Sequence, residues 1–152
     1  MGRTKPIVSP EYVVGLTDGE GCFYVNVRQS LAYRAGAVVQ LHFHIKLNQR
    51  DKEVLQKVCN TLDCGEVYFQ KEKRANHTQC YRFTVASHTA ILEKIIPFFT
   101  QHPLQSVSKR ENFAIFCKVA NFVKNKKHLT KKGIEQIRRW KSLMNRKNVG
   151  LA

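Results

Sequence analysis

VVGLTDGEG, residues 13–21, is an apolar run that ends in two carboxylates, Asp18 and Glu20, set among glycines. Just upstream, Ser9-Pro10-Glu11 has the marks of a helix start: a hydroxyl at the N-cap, a proline at the first helical position and an acid in the first turn. The spacing predicts a helix from about Ser9 to Asp18, ended by Gly19 or Gly21. Helix C-termini gather unsatisfied carbonyls and partial negative charge, so two carboxylates there are unfavourable unless something positive offsets them. A divalent cation is one such partner, held by hard oxygens from a carboxylate, a main-chain carbonyl, waters and a phosphate. The plainer alternative is a pair of turn residues beside glycine. Gly15 and Gly19 lie four residues apart, and small residues at that spacing let two helix backbones approach closely.

The surrounding chain makes that acidic turn stand out. Its 152 residues carry 26 Lys and Arg against 11 Asp and Glu, a formal net charge of +15. Such a field makes nucleic acid the default partner, ahead of an anionic membrane, an acidic protein, or charge that serves only solubility. The length predicts a single domain over residues 1–152, with a basic helical tail from about residue 130. Five cysteines (Cys22, Cys59, Cys64, Cys80, Cys117) are an odd number without a C-x-x-C pair, so reduced thiols are expected. His77 and Cys80 have no second pair to complete a zinc tetrahedron. No leader-like pattern opens the chain and no stretch has the length to span a bilayer, so an intracellular, soluble, unsecreted protein without a membrane partner is expected. Bacterial or archaeal cytoplasm and an organelle matrix both fit.

Beyond Gly21 the hydrophobic period changes to two. Phe23, Val25 and Val27 alternate with Tyr24, Asn26 and Arg28, and Val39, Leu41, Phe43 and Ile45 alternate with Gln40, His42, His44 and Lys46. Two strands joined near Arg34–Gly36 follow. Residues 51–65 return to helical spacing on Val54, Leu55, Val58 and Leu62, with Asp51 as the cap. A second hairpin sets Val67 and Phe69 against Glu66, Tyr68 and Gln70, turns around Ala75 to Thr78, and sets Tyr81, Phe83 and Val85 against Cys80, Arg82 and Thr84. A capped helix from Ser87 is expected to stop at Pro97, and two more helices follow.

The expected class is α+β, an antiparallel four-stranded sheet with helices on its apolar face. Its other face would present Tyr24, Asn26, Arg28, Ser30, Gln40, His42, His44, Lys46, Tyr68, Gln70 and Arg82, with Tyr33 and Arg34 at the hairpin turn. Donors, acceptors and rings of this kind can reach base edges, and the cations can neutralise phosphates. Trp140 is read as a packing anchor. The basic segment RRWKSLMNRKNVGLA fits phosphates outside the sheet or a solvated helix.

VVGLTDGEG resembles the LAGLIDADG signature of homing endonucleases, keeping Gly15, Leu16, Asp18, Gly19 and Gly21, with acidic Glu20 at the penultimate position. The αββαββα order resembles the family's over nearly the whole chain, as does FHIKLNQRD before a helix. The resemblance implies a saddle-shaped sheet in the DNA major groove and paired motif helices at a two-fold interface. One motif per chain implies a homodimer, with Val14, Gly15, Asp18 and Gly19 between subunits. It further implies that Glu20 and the Gly19 carbonyl hold magnesium, with manganese or calcium as substitutes. Asp18 would cap and organise the helix end. Lys109 would stand near the scissile phosphate, followed by Gln49 or Lys46. Glu20 replaces a commoner Asp, Thr17 sits where an aliphatic is usual, and Leu47 where some relatives carry a polar side chain. The implied activity is a double-strand break in a long, near-palindromic target, made by an intron-encoded protein. A non-cleaving binder on the same scaffold, an intron RNA maturase or a DNA-binding regulator, is the alternative.

Overall fold

The computed structural model describes residues 4–74 and 77–145. Helix α1 spans Pro10–Glu20. Ser9 is extended and its Oγ accepts from the Tyr12 N–H at 3.1 Å, as its position predicts. The helix runs two residues past the expected end, so Gly19 lies inside its last turn and Gly21 stops it. Gly21 is extended (φ −79°, ψ 157°) and donates its N–H to the Thr17 carbonyl. A Cβ on Gly21 would stand 2.6 Å from Thr17 Cγ2 and 2.9 Å from Thr17 Cα, so only glycine lets the strand leave so close to the helix.

Strands β1 (Gly21–Gln29) and β2 (Ala37–Asn48) form the first hairpin, in the register Phe23↔Phe43, Tyr24↔His42 and Asn26↔Gln40. Its loop closes through the Ser30 N–H to the Gly36 carbonyl at 3.0 Å, with Gly36 at φ +78°. A single 3₁₀ turn, Gln49–Asp51, leads into α2 (Lys52–Leu62). Asp51 holds the N-cap position of α2 but makes no side-chain bond there. Asn48 does the capping one turn earlier, its Oδ1 accepting from the Arg50 N–H at 2.9 Å. Strands β3 (Glu66–Gln70) and β4 (Cys80–Val85) complete an antiparallel sheet of order β1-β2-β4-β3. Of the expected turn between them, Ala75 and Asn76 lie outside the described residues.

The expected stop at Pro97 is overturned. Helix α3 (His88–Ala90) passes through a π turn (Ile91–Ile95) into α4 (Ile96–Gln101), so the chain stays helical across the proline. Pro97 has no N–H, and its ring would press on the carbonyl of Glu93 in a regular α-helix. The wider turn sends the Ile96 N–H back to Ile91, and the proline opens the renewed α-helix where a missing donor costs nothing. Helices α5 (Val107–Lys124) and α6 (Lys131–Leu143) follow as expected, separated by a 3₁₀ turn, Lys127–Leu129.

The period-two reading of β1, β2 and β4 holds. Phe23, Val25, Val39, Leu41, Phe43, Ile45, Phe83 and Val85 are each 2% exposed or less and form the floor of the core. The Phe23 ring lies 5.0 Å from Phe43, 5.5 Å from Phe99 and 5.3 Å from Phe116, tying sheet to α4 and α5. Burying each such ring stabilises the fold by roughly 1.5–3 kcal/mol. Phe69 is 48% exposed, because β3 is an edge strand; it rests on Tyr81 at 5.5 Å. Trp140 packs edge-on against Phe122 at 4.7 Å, an anchor between α5 and α6.

Candidate nucleic-acid interface and carboxylate site

With the apolar set turned to the helices, the alternate residues share the open face. Register places Tyr24 beside His42, Asn26 beside Gln40, Lys46 beside Arg82, and Arg82 beside Tyr68. All the strand residues expected there are therefore together: Tyr24, Asn26 and Arg28 of β1, Gln40, His42, His44 and Lys46 of β2, Tyr68 and Gln70 of β3, and Arg82 of β4. Ser30, Tyr33 and Arg34 belong instead to the loop beyond β1. Cys22, Val38 and Thr84 share the face in register; the same period of two marks them. Asn26 donates to Gln40 Oε1 at 2.9 Å, and Thr84 to the Tyr68 hydroxyl at 3.3 Å. Tyr24, His42, His44, Tyr68, Arg82 and Thr84 line a shallow concavity of about 370 Å³.

This face is polar rather than strongly charged. Partial burial, then the nearby Arg82, His42 and Lys109, push His44 down to about 4. His42 is lowered too, by burial first and then by Arg82 and His88. At neutral pH both imidazoles are uncharged, each a donor and an acceptor at once, which suits base edges better than phosphates. Lys46 forms an ion pair with Glu72, from the β3–β4 connection. Its hydrogen bond holds the Glu72 carboxyl below the usual carboxylate range. Arg82 Nε is buried without a partner among the described residues.

The two carboxylates of the opening motif part company. Asp18 accepts from the Gln105 N–H at 3.0 and 3.2 Å and from the Ser106 N–H at 3.1 Å. Those amides lead into α5, so the negative end of α1 meets the positive end of α5 through this side chain. Capping is the role the resemblance implies for Asp18, and the amides it accepts from, those of Gln105 and Ser106, lie 87 and 88 residues further along. Glu20 is exposed and makes no side-chain hydrogen bond or ion pair among the described residues. Ser106 caps α5, its Oγ accepting from the Lys109 N–H at 3.3 Å. That first turn presents Lys109, whose Nζ donates to the Gly21 carbonyl, one residue from Glu20. Lys109 is thus brought to the motif. Gln49 is exposed in the 3₁₀ turn past β2, its backbone N–H bonded to the Gln79 carbonyl at 2.9 Å, and no hydrogen bond joins it to Glu20 or Lys109.

Among the described residues nothing covers the outer side of α1. A Cβ on Gly15 or Gly19 would meet nothing within 4 Å, and Tyr12 is 46% exposed beside them. Val14, 7% exposed, is part of the chain's own core and also lines, with Glu11, Gly15 and the 101–105 segment, an open groove of about 390 Å³. The Glu20 carboxylate and the Gly19 carbonyl are hard oxygen donors of the type magnesium takes. Among the described residues no three His, Cys, Asp or Glu side chains gather as a metal site. Asp18 is already engaged by the amides of Gln105 and Ser106, so Glu20 and the Gly19 carbonyl amount to only part of a coordination shell. Among the described residues no helix is long and apolar enough to cross a membrane.

The LAGLIDADG endonuclease family model matches residues 13–120. The probable intron-encoded endonuclease 2 of Neurospora crassa is 29% identical over 138 residues, covering 91% of this chain and 29% of its own length. Among solved structures, the homing endonuclease I-TnaI is 33% identical with a TM-score of 0.81, over 93% of this chain and 91% of that one. I-SmaMI bound to cleaved DNA is 30% identical with a TM-score of 0.83, over 98% of this chain and 48% of that one. I-SmaMI has also been solved on an uncleaved target in the presence of calcium ions. This chain therefore spans under a third of the Neurospora relative, about half of I-SmaMI and most of I-TnaI. The motif, the αββαββα order and the open polar sheet all lead to one conclusion: the chain belongs to the LAGLIDADG endonuclease family.

Proposed function

We propose that the chain is one LAGLIDADG unit of a site-specific, intron-encoded DNA endonuclease that breaks both strands of a long, near-palindromic target. The observation that carries this is an exposed Glu20, without a side-chain partner among the described residues, next to Gly21, whose carbonyl accepts from Lys109 Nζ, in a chain of net charge +15 with an open polar sheet. The structures of I-SmaMI on cleaved and uncleaved DNA support DNA as the partner, and its calcium complex supports a divalent ion. Glu20 and the Gly19 carbonyl would hold magnesium, with manganese or calcium as substitutes. When bound, magnesium supplies Lewis-acid stabilisation of charge and activation of water.

The chain's own residues do the rest. The sheet face reads base edges through Tyr24, Asn26, Gln40 and the neutral His42 and His44. Lys109, pinned by its bond to Gly21, places a positive charge where negative charge develops on the phosphate; a preorganised donor of this kind is worth roughly 10²–10³ in rate. The bare Gly15–Gly19 side of α1 receives a second copy of the helix, which brings two Glu20 side chains together as a homodimer. A non-cleaving maturase or regulator has no need of an exposed Glu20 carboxylate with a lysine held at the adjoining Gly21 carbonyl.

Purified protein incubated with plasmid carrying the intronless insertion junction tests this. Wild type should linearise it with magnesium, and Glu20→Gln should bind but not cut. Equal cutting by Glu20→Gln removes the assignment.

A further inference from the structure

The charge that makes this chain so basic is not on the sheet. The open face offers Arg28, Lys46 and Arg82, but Glu66 lies on the same face and Glu72 neutralises Lys46. By contrast, the segment from Lys124 to Lys141 holds eight cations (Lys124, Lys126, Lys127, Lys131, Lys132, Arg138, Arg139 and Lys141) and a single acid, Glu135. Long-range attraction to a polyanion therefore centres on α6 and its approach, and base reading on the sheet.

Helix α6 presents its cations on two flanks, because it buries the stripe between them. Gly133, Ile134 and Ile137 face the core. On one flank Arg138 and Lys141, three residues apart and so neighbours on the helix surface, line an open concavity of about 450 Å³ with Val27 of β1. Strand β1 is an edge of the sheet. Lys141 reaches round that edge, its Nζ standing 5.4 Å from the centroid of the Tyr24 ring on the open face. On the other flank Lys132 and Arg139 line a separate concavity with Phe122, Lys126 and Lys127, on the α5 side.

We infer that the β1 flank of α6 is a phosphate rail, on which Arg138 and Lys141 take backbone phosphates of the duplex whose bases the sheet reads. This rests on the DNA reading proposed above. A duplex seated on the open face must carry one of its strands past the β1 edge, and these two cations border that edge. The Lys132 and Arg139 flank opens toward α5 instead and has no residue of the sheet in its lining. The rail contributes affinity without sequence preference, since phosphates are alike at every step.

The test is binding of a random-sequence duplex over a salt series, without divalent metal, so cleavage plays no part. Each phosphate contact adds ~0.9 to the slope of log K against log salt, so Arg138→Gln/Lys141→Gln should flatten it by about 1.8. Lys132→Gln/Arg139→Gln removes the same net charge and should leave the slope as in wild type. Arg138→Gln alone, at an exposed position, should show half the change and guards against any packing role of Lys141. If both double variants flatten the slope equally, or neither does, the rail is wrong and the DNA reading stands. If wild type binds no duplex at low salt, the DNA reading itself falls, and the rail with it.

Discussion

Removing Asp18 tests how the junction between α1 and α5 is held together. In Asp18→Ala the N–H groups of Gln105 and Ser106 lose an acceptor 3.0–3.2 Å away. Hydrogen bonds to a charged group are each worth roughly 1.5–3 kcal/mol. The α5 dipole adds ~0.3–1 kcal/mol to a carboxylate at its positive end. Asp18 is only half-buried, so water replaces part of what is lost, and the low end applies: about 2–3 kcal/mol in all. Asp18→Asn keeps one oxygen and loses the charge, and should cost about half as much. Urea unfolding followed by circular dichroism reads both, with the midpoint falling at unchanged slope. Activity should fall further than stability. Lys109 stands in the first turn of α5 and reaches the Gly21 carbonyl only while that turn is docked, so at temperatures where Asp18→Asn is fully folded cleavage should still be reduced. A midpoint for Asp18→Ala within error of wild type refutes the reasoning, because the amides would then be as well satisfied by water.

Two further outcomes follow from distances and burial. Gly21→Ala forces a methyl to 2.6–2.9 Å from Thr17, including its backbone, and should destabilise by about 1–3 kcal/mol in a thermal melt; an unchanged Tm would mean that the helix-to-strand junction yields freely. His44 has a folded pKa depressed from 6.5 to about 4, so the unfolded chain binds its proton first as pH falls. The stability this group supplies is full above about pH 6.5 and is lost as pH falls toward 4. His44→Gln should flatten the stability profile between those values, and an identical profile would show that His44 does not carry it.

Local features were legible in the residues. Alternation along β1, β2 and β4 sorted core from open face, and Ser9-Pro10 marked the start of α1, because those signals depend only on near neighbours. What could not be read depends on distant contacts. Lys46 looks like a free cation beside His44, and only the β3–β4 connection folding back shows Glu72 upon it. Asp18 looks like a misplaced charge until α5 arrives from the far end of the chain. Pro97 reads as a stop, since a rule about regular α-helices does not foresee a widened turn. Asp51 and Asn48 are both good caps by type, and which one acts depends on the 3₁₀ turn between them. Glu20, Gly19 and Lys109 are singled out by the motif and its resemblance; that Lys109 reaches the Gly21 carbonyl is a matter of helix docking that spacing alone does not give.

The strict division of each strand into an inward and an outward set has an evolutionary consequence. Phe23, Leu41, Phe43 and Phe83 are committed to the interior, whereas Tyr24, Gln40, His42 and Arg82 touch little that the fold requires. Changes among the latter alter the chemistry of the open face and leave the packing that supports it intact. Such a surface can drift by single substitutions without passing through an unfolded ancestor.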